Sequence, residues 1–152
     1  MNANRIMNEF ISLLRQTGEG QGFRCQPWQG TRRMSNNIVE LSSSIDCLVY
    51  IKVRSEEPWR WGVTANRIDE LRRSGKKWIV VLLCGTPETG YLLTPNDVDR
   101  YIRQGIWPLG RDGDYKVATG SYLQFNRPFH SFTEFLNDLM GRVMGERNGN
   151  SR

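Results

Sequence analysis

From Ile45 to Arg54 the chain alternates with a period of two. The odd positions Ile45, Cys47, Val49, Ile51 and Val53 are all apolar, while the even ones are Asp46, Leu48, Tyr50, Lys52 and Arg54. That period belongs to a β-strand, and the unbroken apolar row predicts one buried face, with Tyr50 and Lys52 on the open one. Asn36 to Leu41 also reads as a strand. The serines at 42–44 have too little apolar surface to be anything but a turn, so the two strands form a hairpin. Pairing Leu41 with Ile45 sets Val39 beside Cys47 on the buried face and Asn36 beside Tyr50 on the open one. A slip of one residue would bring Asn37 in place of Asn36.

The rest of the chain supplies partners for this hairpin. Ile6, Phe10, Leu13 and Leu14 share one helical face between Asn4 and Gly18, which predicts a helix over 5–17. Phe23–Gln26 is a short strand candidate. The glycines of TGEGQG lack the preceding strand and following helix of a phosphate loop, so that reading is set aside. After the hairpin, Pro58 and Gly62 mark a loop, and Thr64 caps a helix with Ala65, Ile68 and Leu71 on its apolar side. WIVVLLC (Trp78–Cys84) is a continuous apolar run of strand length, which predicts a central strand covered on both faces. Tyr91–Leu93 is another strand. Thr94–Asp97 is a capping box with proline at the first helical position, so 95–104 is helix. Tyr115–Ala118 follows as a strand, with the preceding Asp112-Gly113-Asp114 read as a turn. Ser131 and Glu134 cap a last helix that carries Phe135, Leu139 and Val143 inward. The expected class is α/β, a mixed central sheet with flanking helices.

A chain of 152 residues can bury a core of its own, and 1–144 is expected to form one domain, with a disordered tail over 145–152. Cys25, Cys47 and Cys84 have no CxxC spacing, and Cys47 and Cys84 lie inside apolar runs, so they read as reduced packing residues. One histidine, His130, leaves zinc sites of His and Cys type and Ser-His-Asp chemistry short of parts. No apolar run reaches membrane-helix length and no secretory signal is evident, which predicts a cytoplasmic protein.

The net charge is +5, and its distribution is uneven. Between Lys52 and Lys77 there are eight Lys or Arg against four Asp or Glu, an excess that favours an anionic partner. Arg54, Arg60, Arg67, Arg72, Arg73, Lys76 and Lys77 are the candidate phosphate contacts. Trp59 beside Arg60 offers an aromatic surface for stacking on bases, whereas Trp61 is expected to fold inward.

The order helix, short strand, hairpin, helix, buried strand, with a Lys on the second hairpin strand, resembles the restriction-endonuclease-like fold, the PD-(D/E)XK nuclease superfamily. The resemblance runs over roughly residues 5–104. It implies a site in which an Asp from the first hairpin strand and the outer residues of an (Asp/Glu)-x-Lys triplet on the second meet at one edge of the sheet. There two carboxylates hold Mg²⁺, which activates a water and neutralises phosphate charge, while the Lys orients that water. In this chain the triplet is Tyr50-Ile51-Lys52, and Asn36 stands where the Asp would be. Only Lys52 carries over; a neutral amide and a protonated phenol remove two negative charges from the ion's surroundings. The resemblance thus implies a DNA- or RNA-binding protein with a degenerate catalytic set (Asn36, Tyr50, Lys52) and little or no metal-dependent cleavage. One rival is an active Mg²⁺-dependent nuclease whose carboxylates have moved to the following helix, with Asp69 and Glu70 as candidates. The other is an assembly module, as a homodimer or with an acidic protein partner, that has lost nucleic-acid contact.

Overall fold

The structure, a computed structural model, describes residues 2–30, 37–44 and 46–144. The chain opens with α1 (Ala3–Gln21), then β1 (Arg24–Pro27), β2 (Ile38–Ser42) and β3 (Cys47–Arg54). β4 (Arg60–Thr64) and α2 (Ala65–Arg73) lead to β5 (Lys77–Cys84) and β6 (Gly90–Leu93). α3 (Pro95–Arg103), β7 (Asp114–Ala118) and α4 (Phe132–Asp138) complete it, with α4 running on into π-helical turns over Leu139–Met144. The fold is mixed α/β. Five strands make the main sheet in the order β1-β2-β3-β5-β6, antiparallel except for the parallel pair β3–β5, and β4 and β7 form a separate antiparallel ribbon.

Local chemistry accounts for most of these boundaries. α1 is longer than its apolar stripe suggests because Asn2, not Asn4, caps it, accepting the Arg5 N–H at 2.9 Å. Gly18 stays inside the helix and must be glycine, since a Cβ there would lie 2.5 Å from the Phe23 carbonyl oxygen. Gly22, at φ +82°, ends the helix in the left-handed conformation. The Thr94 capping box is complete in both directions. Asp112 accepts the Asp114 N–H at 3.0 Å, the turn chemistry expected of that triplet.

Two further expectations, both about the hairpin, require correction. The hairpin pairs Leu41 with Cys47, Val39 with Val49 and Ile38 with Tyr50, a register two residues away from the expected one. A shift of two leaves each side chain on its face, so the hydrophobic pattern cannot tell the two registers apart. The second correction concerns exposure. The odd face of β3 packs, through Cys47, Val49 and Ile51, against α1 and α4, as expected. Its even face is covered too: Leu48 and Tyr50 lie in a second core with Trp61 and Val63 of β4, Ile68 and Leu71 of α2, and Val98 and Tyr101 of α3. Polar Asp46, Lys52 and Arg54 stand at the ends of that row, which made the whole face read as open.

β5 has both faces covered, as its composition predicts. Ile79, Val80, Val81, Leu82 and Leu83 are completely buried, each contributing about 1.5–3 kcal/mol of burial, so this is the strand the fold can least lose. No helix among the described residues is long and apolar enough to cross a membrane.

Candidate functional site

The second half of β3 leaves the core by steps. Tyr50 is fully buried, Lys52 half-buried, and Arg54 lies at the strand's end. Tyr50 and Lys52 share a face, as the alternation requires. The phenol oxygen of Tyr50 accepts the Thr64 N–H at 3.2 Å, which ties the end of β4 to the middle of β3. β4 begins at Arg60, which borders a hollow shared with Arg54, so the two strands run side by side in opposite senses and Lys52 falls between their points of contact. Trp61 closes the underside, 5% exposed, its indole N–H donating to the Leu83 carbonyl at 3.1 Å. Trp59, half-buried, covers Gly85, where a Cβ would come within 3.0 Å of its ring.

Asn36 lies outside the described residues. The Ile51 N–H donates to the Asn37 carbonyl at 2.8 Å, setting Asn37 opposite Ile51 and therefore on the other face from Tyr50 and Lys52. Asn37 accordingly borders a groove against α1, with Asn8 and Arg15. The alternative assignment of Asn37 to the Lys52 face does not hold.

The basic segment divides into two groups. Arg67 pairs with Glu70 at 2.7 Å, and Arg72 bridges Asp99 of α3 at 2.6 Å and Asp69 at 3.5 Å. Lys76 lies between Glu40 and Asp46, and its bond to Glu40 raises its pKa. Lys77 donates to the Val143 carbonyl at 2.8 Å. Among the described residues Lys52, Arg54, Arg60 and Arg73 have no acidic partner. Arg73 borders a different hollow, against Trp28 and Gly30, so Arg54 and Arg60 are the open cations that share a hollow, with Lys52 two residues before Arg54 on the same face of β3.

Lys116 joins them. In the β4–β7 ribbon Gly62 pairs with Lys116 and Arg60 with Ala118, so Arg60 and Lys116 are diagonal neighbours on the outward face, about 7–8 Å apart at Cα. Arg54, Arg60, Lys116 and Tyr122 enclose a hollow of about 430 Å³ above Gly62. Sequence reasoning missed Lys116 and Tyr122, although the alternation of Tyr115 and Val117 inward does place Lys116 outward. What no local pattern shows is that β7 pairs with β4.

Among the described residues, those around Lys52 do not assemble a magnesium site. Tyr50 is packed on all sides and its oxygen is engaged by a backbone N–H, so it cannot serve as an ion ligand beside Lys52. Glu70 and Asp69, the candidate relocated ligands, are each held by an arginine of their own helix. Among the described residues no three His, Cys, Asp or Glu side chains converge as a metal site would require.

No protein-family model matches the sequence, and no curated protein matches it. Among solved structures the fold is similar to that of Hjc, a Holliday junction resolvase of Archaeoglobus fulgidus. The TM-score is 0.49 at 13% identity, over 78% of this chain and 93% of that one.

Proposed function

We propose that this protein binds nucleic acid, DNA or RNA, through phosphate contacts at the C-terminal end of β3, on a nuclease-like fold with little or no metal-dependent cleavage. The observation that carries the reading is the contrast within the Tyr50-Ile51-Lys52 triplet. The position that would bear a carboxylate is a buried tyrosine locked to Thr64, while the next outward positions on the same face, Lys52 and Arg54, are cations without acidic partners among the described residues. The site has the positive charge that phosphates attract, and among the described residues no cluster of anionic oxygens that would hold Mg²⁺. The order of helix, short strand, hairpin, helix and buried strand on which the resemblance rests is present, with β4 added between hairpin and helix. Contacts made by Lys and Arg to phosphate carry no sequence information, so binding is general and driven by counterion release.

The test is a titration of labelled DNA and RNA oligonucleotides of unrelated sequence over a range of salt, with and without Mg²⁺ or Mn²⁺. Log affinity should fall linearly with log salt, differ little between sequences, and leave the strands intact. Affinity that ignores salt, or prompt metal-dependent cutting, would refute the reading.

A further inference from the structure

The hollow above Gly62 is assembled from three strands, Arg54 from β3, Arg60 from β4 and Lys116 from β7, with Tyr122 at its side. Arg60 and Lys116 are diagonal neighbours across the ribbon, and two acids, Asp112 and Asp114, stand beside Lys116 and Gly62. Asp112 holds the Lys116 ammonium at 2.5 Å in a pair half-exposed at both ends, so a ligand phosphate would compete with it for Lys116. Asp114 has its carboxylate against the Cα of Gly62, with Oδ2 2.7 Å from where a Cβ would stand. Arg54 gives its Nε–H to the Glu56 carbonyl at 3.1 Å, which steadies the side chain and leaves its terminal nitrogens for another acceptor. Arg60 has no acidic partner among the described residues.

Size and charge narrow the ligand. A volume of about 430 Å³ lies in the range of small-molecule sites and suits one nucleotide, not a stretch of backbone. Two arginines without acidic partners among the described residues, with Lys116 beside them, suit a phosphomonoester, which carries about −1.5 to −2 at neutral pH, better than an internal diester with a single charge. The Trp107 indole N–H donates to the Tyr122 backbone carbonyl at 2.8 Å, and Tyr122 lines the hollow, where its ring can stack on a base.

We propose that this hollow is a binding site for a terminal phosphomonoester of a nucleic-acid strand, seated on Arg54, Arg60 and Lys116. The site rests on the nucleic-acid reading above and gives it a substrate class, a phosphorylated strand end.

The experiment compares one single-stranded oligonucleotide bearing a 5′-phosphate, a 3′-phosphate or hydroxyls at both ends, together with a nucleoside monophosphate and its parent nucleoside. One phosphorylated form should bind about tenfold tighter than the hydroxyl form, the gain of one or two charge-assisted hydrogen bonds, and which form it is assigns the end. The preference should vanish in Arg60→Gln and shrink in Lys116→Gln, both outward-facing positions, with folding checked by circular dichroism. Equal binding of all three oligonucleotides would overturn the site and leave general nucleic-acid binding standing. If no oligonucleotide binds but the monophosphate does, in an Arg60-dependent way, the hollow stands and the nucleic-acid reading fails. Loss of both overturns both.

Discussion

The two ends of the parallel pair β3–β5 are both rich in basic residues and differ in what surrounds them. At the start of the pair, where Cys47 lies beside Lys77, the neighbouring Lys76 is bracketed by Glu40 and Asp46 and Lys77 itself is bonded to the end of the last helix. At the other end, where Arg54 lies beside Cys84, Arg54 and Arg60 face a hollow with Lys116 and have no acidic partner among the described residues. A count of charge along the chain treats these ends alike. Availability is decided by which carboxylates the fold delivers, and Glu40 reaches Lys76 across 36 positions of sequence.

The largest effect should come from the residue between the two ends. Tyr50→Ala removes a fully buried ring and should cost about 3–5 kcal/mol in urea unfolding, because the strand that carries Arg60 is moored there. A loss under about 1 kcal/mol would mean that the open end does not depend on the core beneath it. Tyr50→Glu, which would restore the carboxylate of the resemblance, buries a charge and should be at least as damaging. Tyr50→Phe keeps the packing but leaves the Thr64 N–H without its acceptor, for about 1 kcal/mol. Lys76→Ala, at the closed end, should cost at most about 1 kcal/mol, since its ion pairs are partly solvated, and should leave oligonucleotide affinity unchanged.

The smallest effect distinguishes the ends through their cysteines. Burial pushes the Cys47 and Cys84 thiols up to about 12 and Cys25 to about 11, from an ordinary value of 9.0. A thiol whose pKa is raised on folding favours the native state below pH 9 and loses that contribution as pH climbs toward the folded value. Near neutrality stability should therefore be flat with respect to these groups. A thiol reagent at pH 7.5 should label slowly, reaching half-buried Cys84 before fully buried Cys47. Labelling in the reverse order would contradict the placement of β3 and β5.

Much of the fold could be read from residue pattern. The Thr94 box, the apolar run of β5 and the stripe of α1 each announce an element with its own mechanism. The site was less legible, for reasons that are physical. Alternation assigns Tyr50 and Lys52 to one face but does not say what covers it; that depends on β4, where Gly62 and the preceding Pro58 mark the stretch as loop. Tyr50 enters the site through the resemblance alone, and its burial is not legible because a phenol suits a wet face and a dry one equally. Lys116 was invisible as a partner of Arg60 because strand pairing between β4 and β7 is non-local. Arg67, Arg72 and Lys76 are candidate phosphate contacts by sequence, which shows a charge but not its counter-ion.

Charge at the open end, not along the whole basic segment, is what should hold nucleic acid. The direct measurement compares Arg54→Gln/Arg60→Gln with Lys76→Gln/Lys77→Gln in the salt dependence of binding to one oligonucleotide. The first pair should weaken binding and lower the slope of log affinity against log salt by about one per cation removed, while the second leaves both near those of the unaltered protein. Equal losses from the two pairs, or a larger loss from Lys76 and Lys77, would contradict the assignment.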